Sequence, residues 1–290
     1  MERSIIKKFR GEIWSPFMRA LSDYDLIQPN DVIAVCISGG KDSMLLAKCF
    51  QILSRFSKVP FTAKFLVMDP GYNDRNLQKI KDNAAILGIP ITIRNTEIFD
   101  VVHGMEKNAC YVCARMRRGY LYRFAKEMGC NKIALGHHFD DVIETVLLNI
   151  FYAGEIRTMM PKLHSDNFEG MELIRPLYKV KEKNILRWVE YCDLSFLQCA
   201  CRFTEIIEQE KGIDKKTSKR DEVKQLIKEY RKLNPDADNN IFRSMSNVNT
   251  DKVIAYKVKD EKISFLDHYE EWERDAARQT DKIIPQKECD

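Results

Sequence analysis

Ile37-Ser38-Gly39-Gly40-Lys41-Asp42-Ser43 forms a glycine-containing turn between two apolar segments. The run at 31–37 predicts a buried strand, and the apolar residues that follow at helical spacing predict a helix. Two glycines at such a turn let the backbone approach a ligand closely and direct several N–H groups at one point. The positive end of the helix dipole adds to that field, so the glycine loop (residues 38–43) is predicted to bind phosphate groups.

The side chains of the glycine loop extend this prediction. Ser38 and Ser43 offer hydroxyl groups, Lys41 a cation, and Asp42 a carboxylate that can reach a metal ion. A Walker A loop would need glycine at the position of Val35 and Ser or Thr at position 42. The stretch resembles instead the PP-loop, S-G-G-x-D-S, of the ATP pyrophosphatases, which release pyrophosphate and leave AMP on the substrate. The alternative is a chance Gly-Gly turn before a helix.

Composition narrows the class of protein. A chain of 290 residues with 44% hydrophobic residues fits one α/β domain with appendages. No apolar run reaches transmembrane length and the N-terminus lacks a signal-peptide core, so we expect a cytoplasmic protein with no membrane partner. Nine cysteines favour metal binding or reactive thiols over disulfides, although Cys36 and Cys49 fall at core positions and are predicted to be buried. The net charge of +4 alone does not argue for nucleic acid.

Strand and helix patterns alternate from residue 31 onward. Strands are predicted at 31–37, 61–68, 91–94, 132–136 and 171–177, and a helix at 75–87. This order favours an α/β fold with a doubly wound parallel sheet, in which ligands bind at the carboxyl ends of the strands. We therefore expect the glycine loop, Asp69 and Gly136 to meet at one site. The predicted organisation is a helical N-terminal arm at 1–25, a catalytic domain at 26–204, and a helical C-terminal region with a tail at 205–290.

A second polar turn, Gly136-His137-His138-Phe139-Asp140-Asp141, follows the fourth predicted strand and begins a helix. Its acids either complement the helix dipole or bind Mg²⁺, and Mg²⁺ is favoured for Asp141. We expect nucleotide contacts from His137 and His138, because no cysteine lies nearby at zinc-site spacing. The predicted apolar side of the helix comprises Val142, Ile143, Val146, Leu147, Ile150 and Phe151, with Asp141, Glu144 and Thr145 opposite.

The remaining chemistry lies in two cysteine pairs. Cys110-x-x-Cys113 precedes a predicted helix and can hold one metal ion or one cluster; a redox dithiol is the alternative. Cys199 and Cys201 are separated by one residue, a spacing that strains chelation of one ion by both sulfurs, so one of the two is the better candidate ligand. Three thiolates suit a [4Fe–4S] cluster with one open iron.

The predicted helix after Cys113 is rich in cations. Arg117 falls in its apolar sector, where an unpaired guanidinium is costly, so it should meet an acid or a phosphate. The other side is predicted to be a solvated face or a phosphate-binding surface. Its members are Arg115, Arg118, Tyr122 and Lys126, and Arg123 lies close by.

Taken together, these motifs resemble the tRNA 2-thiocytidine synthetases, an iron–sulfur branch of the PP-loop family. The resemblance covers roughly residues 15–250 and also includes Pro161-Lys162-Leu163 and Ile174-Arg175-Pro176-Leu177. It departs at Phe139, where the family usually has Arg, at the compressed cysteine pair 199–201, at the unmatched segment 205–222, and at the tail 250–290. These departures bear on the substrate more than on the ATP chemistry.

The resemblance implies an enzyme that uses ATP and Mg²⁺ to adenylate a tRNA cytidine and replace its oxygen with sulfur. It implies that Cys110, Cys113 and Cys201 (or Cys199) hold a [4Fe–4S] cluster and, with Asp42, act in catalysis. The implied Mg²⁺ ligands are Asp42 and Asp141. The implied nucleotide contacts are Ser38, Gly39, Gly40, Lys41, Asp42, Ser43, Asp69, Gly136, His137 and Asp141. The implied RNA contacts are Arg115, Arg117, Arg118 and Arg123.

The expected partners are tRNA, a cysteine desulfurase or sulfide as sulfur donor, and a second copy of the chain in a homodimer. Three other functions are compatible with the residues. One is a PP-loop ligase or amidating enzyme with a structural zinc site. Another is a thiolating enzyme for a different RNA base. The third is a cluster-bearing sensor of nucleotide or RNA without turnover.

Overall fold

The computed structural model describes residues 1–103, 109–197, 218–259 and 261–269. Its centre is a six-stranded sheet with strand order β3-β2-β1-β4-β6-β5. The strands are β1 (Asp31–Ile37), β2 (Phe61–Asp69), β3 (Ile91–Asn95), β4 (Lys132–Ala134), β5 (Lys162–His164) and β6 (Glu172–Ile174). All neighbours pair in parallel except β5 and β6, which are antiparallel. The predicted α/β fold with a doubly wound parallel sheet is confirmed.

Helices connect and flank these strands. The first residues form two short π-helical segments, Ser4–Lys8 and Arg10–Trp14. The α-helices are α1 (Ser15–Asp23), α2 (Lys41–Phe56), α3 (Asp74–Leu87), α4 (Ile98–His103), α5 (Ala109–Glu127), α6 (Phe139–Leu148), α7 (Glu182–Tyr191), α8 (Lys219–Leu233) and α9 (Ala237–Ser244). A third π-helical segment, Asn149–Ala153, continues α6.

The apolar pattern explains the central elements. Strand β1 is buried along nearly its whole length, as expected of a central parallel strand covered on both faces. Helix α3 begins where the Asn73 side chain accepts the N–H of Asn76, and it ends at Gly88 in the left-handed conformation (φ 66°). Ile5, Phe9 and Ile13 from the N-terminal helices lie buried in the same core as β1 and α2.

Five details differ from the sequence expectations. The edge strand β5 was not predicted, and β6 spans only Glu172–Ile174, because three-residue strands carry too little alternation to be recognised. Ile150 and Phe151 are exposed, since the apolar stripe of α6 is covered only through Leu148. Glu144 is buried instead of facing solvent.

Tyr122 also differs, because it is buried and stacks on Phe168 at 5.1 Å between ring centroids instead of joining the charged side of α5.

Contacts divide the chain into two compact units, Met1–Phe242 and Arg243–Asp290. The first contains the six-stranded sheet. The second contains an antiparallel pair, β7 (Ala255–Val258) and β8 (Glu261–Ser264), and two short 3-10 helices, Thr250–Lys252 and Phe265–Asp267. Among the described residues, no helix is both long and apolar enough to cross a membrane.

Candidate active site

The glycine loop is a compact turn closed by its own hydroxyl groups. The Ser43 hydroxyl accepts hydrogen bonds from the backbone N–H (3.1 Å) and the hydroxyl (3.2 Å) of Ser38, and it donates to the carbonyl oxygen of Gly40 (2.9 Å). Gly39 has φ +86°, and a Cβ there would lie 2.7 Å from Cγ1 of Ile80. Only glycine fits both demands. The first N–H groups of α2 therefore stand at the end of β1 with the polarity that favours an anion.

The turn after β4 packs directly on this loop. A Cβ at Gly136 would lie 3.0 Å from the backbone nitrogen of Ser43 and 3.1 Å from the carbonyl carbon of Asp42. The two loops thus touch backbone to backbone, as expected for neighbouring parallel strands that end at one edge of the sheet. The convergence of the glycine loop and Gly136 follows from this contact.

A cleft of about 420 Å³ opens at this edge. Its walls come from the ends of β1, β2 and β4, from α5 and from α8. The lining residues are Cys36, Ile37, Ser38, Asp42, Ser43, Met68, Arg117, Leu121, Leu135, Gly136, His137, Asp141 and Arg220. Seven of the predicted site residues therefore lie around one cavity: Ser38, Asp42, Ser43, Arg117, Gly136, His137 and Asp141.

Asp42 provides the carboxylate best suited to a cation in this cleft. Burial raises its pKa, although His138 and Lys41 act in the opposite direction. Its Oδ2 pairs with the Lys41 ammonium at 3.1 Å, while its buried Oδ1 has no hydrogen-bond partner among the described residues. A buried carboxylate oxygen without a partner, beside a predicted phosphate site, fits an Mg²⁺ ligand.

Lys41 connects the glycine loop to α7. Its ammonium lies 2.9 Å from Oε1 of Glu182, in addition to its pair with Asp42. Burial works against the charge of Lys41, but the two carboxylates outweigh it and its pKa is raised. Lys41 is therefore a permanent cation here, oriented by Glu182.

His137 is a neutral hydrogen-bond donor toward the cleft. Burial, with Arg175 adding to the effect, lowers its pKa to about 4. Arg175 donates from Nε to Nδ1 of His137 at 3.4 Å, so in the neutral ring the proton sits on Nε2. Arg175 is itself buried, with a pKa lowered to about 10 by burial. A neutral Nε2–H group suits a phosphate or a carbonyl oxygen.

The two acids at the start of α6 have different surroundings. Asp140 accepts the backbone N–H of Glu182 at 2.7 Å and pairs with Arg231 at 2.7 Å, so it ties α6 to α7 and α8. Asp141 lines the cleft, accepts the N–H of His138 at 2.9 Å through Oδ2, and pairs with Arg220 through Oδ1. Burial opposes ionisation of Asp141, but His138 and Arg220 outweigh it and lower its pKa.

The end of β2 contributes differently from expectation. Asp69 accepts the N–H groups of Gly71 (2.8 Å) and Tyr72 (2.6 Å) and so shapes its own turn, while Met68 lines the cleft. The hydroxyl of Tyr72 accepts a hydrogen bond from Arg117 at 3.1 Å. Asp69 thus acts on the cleft through Tyr72, which helps to hold the guanidinium of Arg117.

The C-x-x-C pair lies inside α5, in its first turns, and not before it. Cys113 is buried and forms no disulfide. Because residues four apart share a helix face, Cys113 lies on the side of α5 that carries Arg117 and Leu121 into the cleft wall. Cys110 lies three residues earlier in the same helix.

The second cysteine pair, Cys199 and Cys201, lies outside the described residues, which stop at Leu197 before resuming at Ser218. The backbone N–H of Leu197 donates to the carbonyl oxygen of Gly39 at 3.3 Å. The chain therefore reaches the glycine loop two residues before Cys199. Among the described residues, no three His, Cys, Asp or Glu side chains form a metal-binding group.

Several other predictions concern the cysteines and cations away from the cleft. Cys36 and Cys49 are buried, as predicted, and burial raises the pKa of Cys36 to about 12. Arg115, Arg118 and Arg123 are exposed on α5. Arg123 pairs with Glu127 one turn away at 3.0 Å.

Sequence reasoning missed four charged residues that shape the site: Arg175, Glu182, Glu144 and Arg220. Glu144 is buried and its carboxylate lies 2.7 Å from Nε of Arg220, which lines the cleft. A signal for α8 was present, because Arg220, Val223, Lys224 and Ile227 recur at one-turn spacing.

Comparison with known proteins identifies the family of this chain. Residues 14–201 match the model of the PP-loop domain family. The tRNA-cytidine(32) 2-sulfurtransferase of Coxiella burnetii is 34% identical over 246 residues, covering 83% of this chain and 91% of that protein. The protein of the same name from Neisseria meningitidis is 39% identical over 186 residues, which are 62% of this chain but only 57% of that relative.

A solved structure agrees in fold. The U34-tRNA thiolase NcsA from Methanococcus maripaludis, determined with its [4Fe-4S] cluster, superposes with a TM-score of 0.61 at 22% identity. The match covers 81% of this chain and 77% of that one, and it supports the same arrangement of sheet and helices. On the family model and the similarity that covers 91% of the Coxiella protein, this chain belongs to the PP-loop family, among the tRNA-cytidine(32) 2-sulfurtransferases.

Proposed function

We propose that this protein is an ATP-dependent transferase that replaces the 2-oxygen of a tRNA cytidine with sulfur. The observation that carries the proposal is the shared cleft: the glycine loop lines the same cavity as Arg117 and Leu121, which follow Cys113 by one and two turns of α5. A phosphate-binding loop and a thiolate pair on separate faces could not act on one base. The names of the relatives give the substrate class, a tRNA cytidine.

In the first step the base O2 attacks the α-phosphorus of ATP, pyrophosphate leaves, and the base carries AMP. The glycine loop and the N-terminus of α2 would bind the departing phosphates, with Lys41 supplying positive charge. Asp42 Oδ1 and one carboxylate oxygen of Asp141 would hold Mg²⁺. His137 would donate its Nε2–H to a developing negative charge. In the second step sulfide bonds to C2 and AMP leaves, so no net oxidation or reduction occurs.

A [4Fe–4S] cluster fits the thiol chemistry of this site. Cys110 and Cys113 would supply two ligands from one helix face, and Cys201 or Cys199 the third. When bound, such a cluster supplies an iron with an open coordination position for sulfur delivery. Cys113 is already buried against the core, so the protein shields that ligand from bulk water.

The cluster and the product can be tested together. Anaerobically purified protein is analysed for iron and sulfide, and nucleosides from tRNA incubated with it, ATP and a sulfur source are examined by mass spectrometry. We expect about four irons per chain and 2-thiocytidine, with AMP and pyrophosphate released. Zinc in place of iron, or AMP release without a thiolated base, would contradict the proposal.

The cysteines can be separated from the nucleotide site. We expect Cys113→Ser to abolish thiolation and leave ATP affinity within about twofold of the unmodified protein, because the thiol supplies cluster ligation and not phosphate binding. Cys49→Ser is the matched control, since that thiol is fully buried in α2 and should affect folding only. Loss of ATP binding in Cys113→Ser would mean that the pair is merely structural.

The exposed arginines of α5 are proposed to contact the tRNA backbone. Replacing Arg115 and Arg118 by Ala should weaken tRNA binding and reduce the slope of log K against log salt by roughly one per lost phosphate contact. Arg123→Ala should do less, because that guanidinium already pairs with Glu127. Unchanged salt slopes in a filter-binding titration would place the tRNA on another surface.

The proposal also includes a cytoplasmic location, a cysteine desulfurase or sulfide as sulfur donor, and a homodimer. These rest on the sequence expectations. Activity with free sulfide, compared with cysteine plus a desulfurase, identifies the donor, and sedimentation equilibrium gives the number of chains.

A further inference from the structure

Helix α8 brings a cation into the cleft from outside the region matched by the family model. That match ends at residue 201, whereas α8 begins at Lys219. The side chain of Ser218 caps the helix by accepting the N–H of Asp221 at 3.2 Å, which fixes the first turn. Arg220 is the second residue of that turn and lines the cleft.

The position of Arg220 is set by packing and by two carboxylates. Val223 and Ile227 are buried against Phe139 and Ile143 of α6, and this packing fixes the position of α8 on α6. From there Arg220 donates from Nε to Glu144 at 2.7 Å and from Nη2 to Asp141. Among the described residues, Nη1 has no acceptor, and the side chain is 45% exposed.

The charges that line the cleft favour an additional cation for binding phosphate groups. Among the described lining residues, Asp42 and Asp141 are acidic, and Arg117 and Arg220 are the cations. Lys41, the cation of the glycine loop, already pairs with Asp42 and Glu182. The phosphates of ATP add several negative charges, and a guanidinium with two N–H groups directed to no other acceptor is suited to bind them.

We propose that Arg220 is a ligand for the phosphate chain of ATP, held in place by Glu144 and Asp141. This inference rests on the proposed function, because it assigns a further residue to the same ATP site. It makes α8 part of the nucleotide site, so that the PP-loop domain alone lacks one of the groups that bind the phosphates. Glu144 acts as a positioning residue, since its buried carboxylate orients the guanidinium without lining the cleft.

The test is MgATP binding to the full-length protein by isothermal titration calorimetry, with thermal unfolding measured in the absence of nucleotide. Arg220→Ala should weaken MgATP binding at least about tenfold, the usual effect of losing a charge-assisted hydrogen bond. Lys224→Ala is the matched control: its ammonium lies 3.7 Å from Glu144 on the next turn of α8, but it does not line the cleft. That variant should bind MgATP like the unmodified protein, while its Tm should change about as much as the Tm of Arg220→Ala.

Several outcomes would overturn the inference. One is equal MgATP affinity in Arg220→Ala and the unmodified protein; another is the same loss in Lys224→Ala, which would mean that α8 only supports the fold. Should Arg220→Ala fail to fold, Arg220→Gln, which can still donate to Asp141, replaces it with the same expected tenfold loss. If the unmodified protein binds no MgATP at all, the proposed function fails and this inference fails with it.

Discussion

The glycine loop and helix α8 line the same cleft, but different forces hold them there. The glycine loop is fixed by hydroxyl hydrogen bonds of 2.9–3.2 Å and by backbone packing so close that a Cβ added at Gly136 would lie 3.0 Å from the Ser43 nitrogen. Helix α8 is held by a small apolar contact and by ion pairs of Arg220, Lys224 and Arg231 with carboxylates of α6. The glycine-loop wall of the cleft is therefore held by close packing, which we call the shape-dependent wall. The α8 wall is held mainly by ion pairs, which we call the charge-dependent wall.

The shape-dependent wall should be the less tolerant of change. We expect Gly136→Ala to cost roughly 2 kcal/mol of unfolding free energy and to weaken MgATP binding at least about tenfold, because the added methyl meets backbone that cannot rotate away. Gly119→Ala is the matched control: its Cβ would meet nothing within 4 Å in the middle of α5, so it should stabilise by up to about 1 kcal/mol. Chemical denaturation and calorimetry measure both effects.

Equal behaviour of the two glycine variants would contradict the difference between the walls. It would mean that the β4 turn can retreat from Ser43 without loss.

The two walls also differ in their carboxylates. The pKa of Asp42, in the glycine loop, and the pKa of Asp141, which pairs with Arg220 of α8, shift in opposite directions. Burial raises the pKa of Asp42, so its ionised form weakens the fold as pH rises above the unfolded value of about 4. The pKa of Asp141 is lowered, so its contribution is present above about pH 4 and is lost as pH falls through the folded value.

Neutral amides should therefore have opposite effects at pH 7. Asp42→Asn should stabilise by roughly 1 kcal/mol while it removes ATP turnover, and Asp141→Asn should destabilise by about 1–2 kcal/mol through loss of the pair with Arg220. Urea unfolding at pH 7 and pH 4 measures both. The difference between the two variants should shrink at the lower pH, and a difference of the same sign at pH 7 would disprove the assignment.

Salt should act on the charge-dependent wall alone. Raising NaCl from 0.05 to 1 M screens partly exposed ion pairs, so amide hydrogen exchange in α8 should accelerate by a few-fold, equivalent to less than about 1 kcal/mol. Exchange in β1 should not change, because that strand is buried. Uniform acceleration in both elements would show that α8 unfolds only with the whole domain.

The same contrast separates what the sequence predicted from what it could not. The strand–loop–helix at 31–56 combines a long apolar run with glycines and helical spacing, so both its fold and its place at the sheet edge follow from local chemistry. The pairing of Glu144 with Arg220 joins residues 76 positions apart. No local pattern links the two residues, and the helix pattern placed Glu144 only opposite the apolar side of α6.

Short strands, and residues whose role depends on tertiary partners, were not predicted for the same reason. Strand β5 has three residues and owes its existence to antiparallel pairing with β6, which no periodicity within Lys162–His164 could reveal. Asp69 follows a strand, as a ligand-binding acid would, but two nearby N–H groups compete successfully for its carboxylate. The sequence predicted that the loops after β1 and β4 meet at the carboxyl edge of the sheet, but it did not predict the ion pairs that surround them.

The hydrogen bond from Arg175 to His137 has a consequence for tolerance to acid. Imidazole groups usually change charge within a unit or so of neutrality, and an active site that relies on one then responds to metabolic acidification. Here burial of His137, to which the Arg175 guanidinium adds, lowers the pKa of the ring to about 4 and so keeps it uncharged at higher pH. A fall from pH 7.5 to 6 would leave the donor of His137 in place, so this wall of the cleft does not act as a proton sensor.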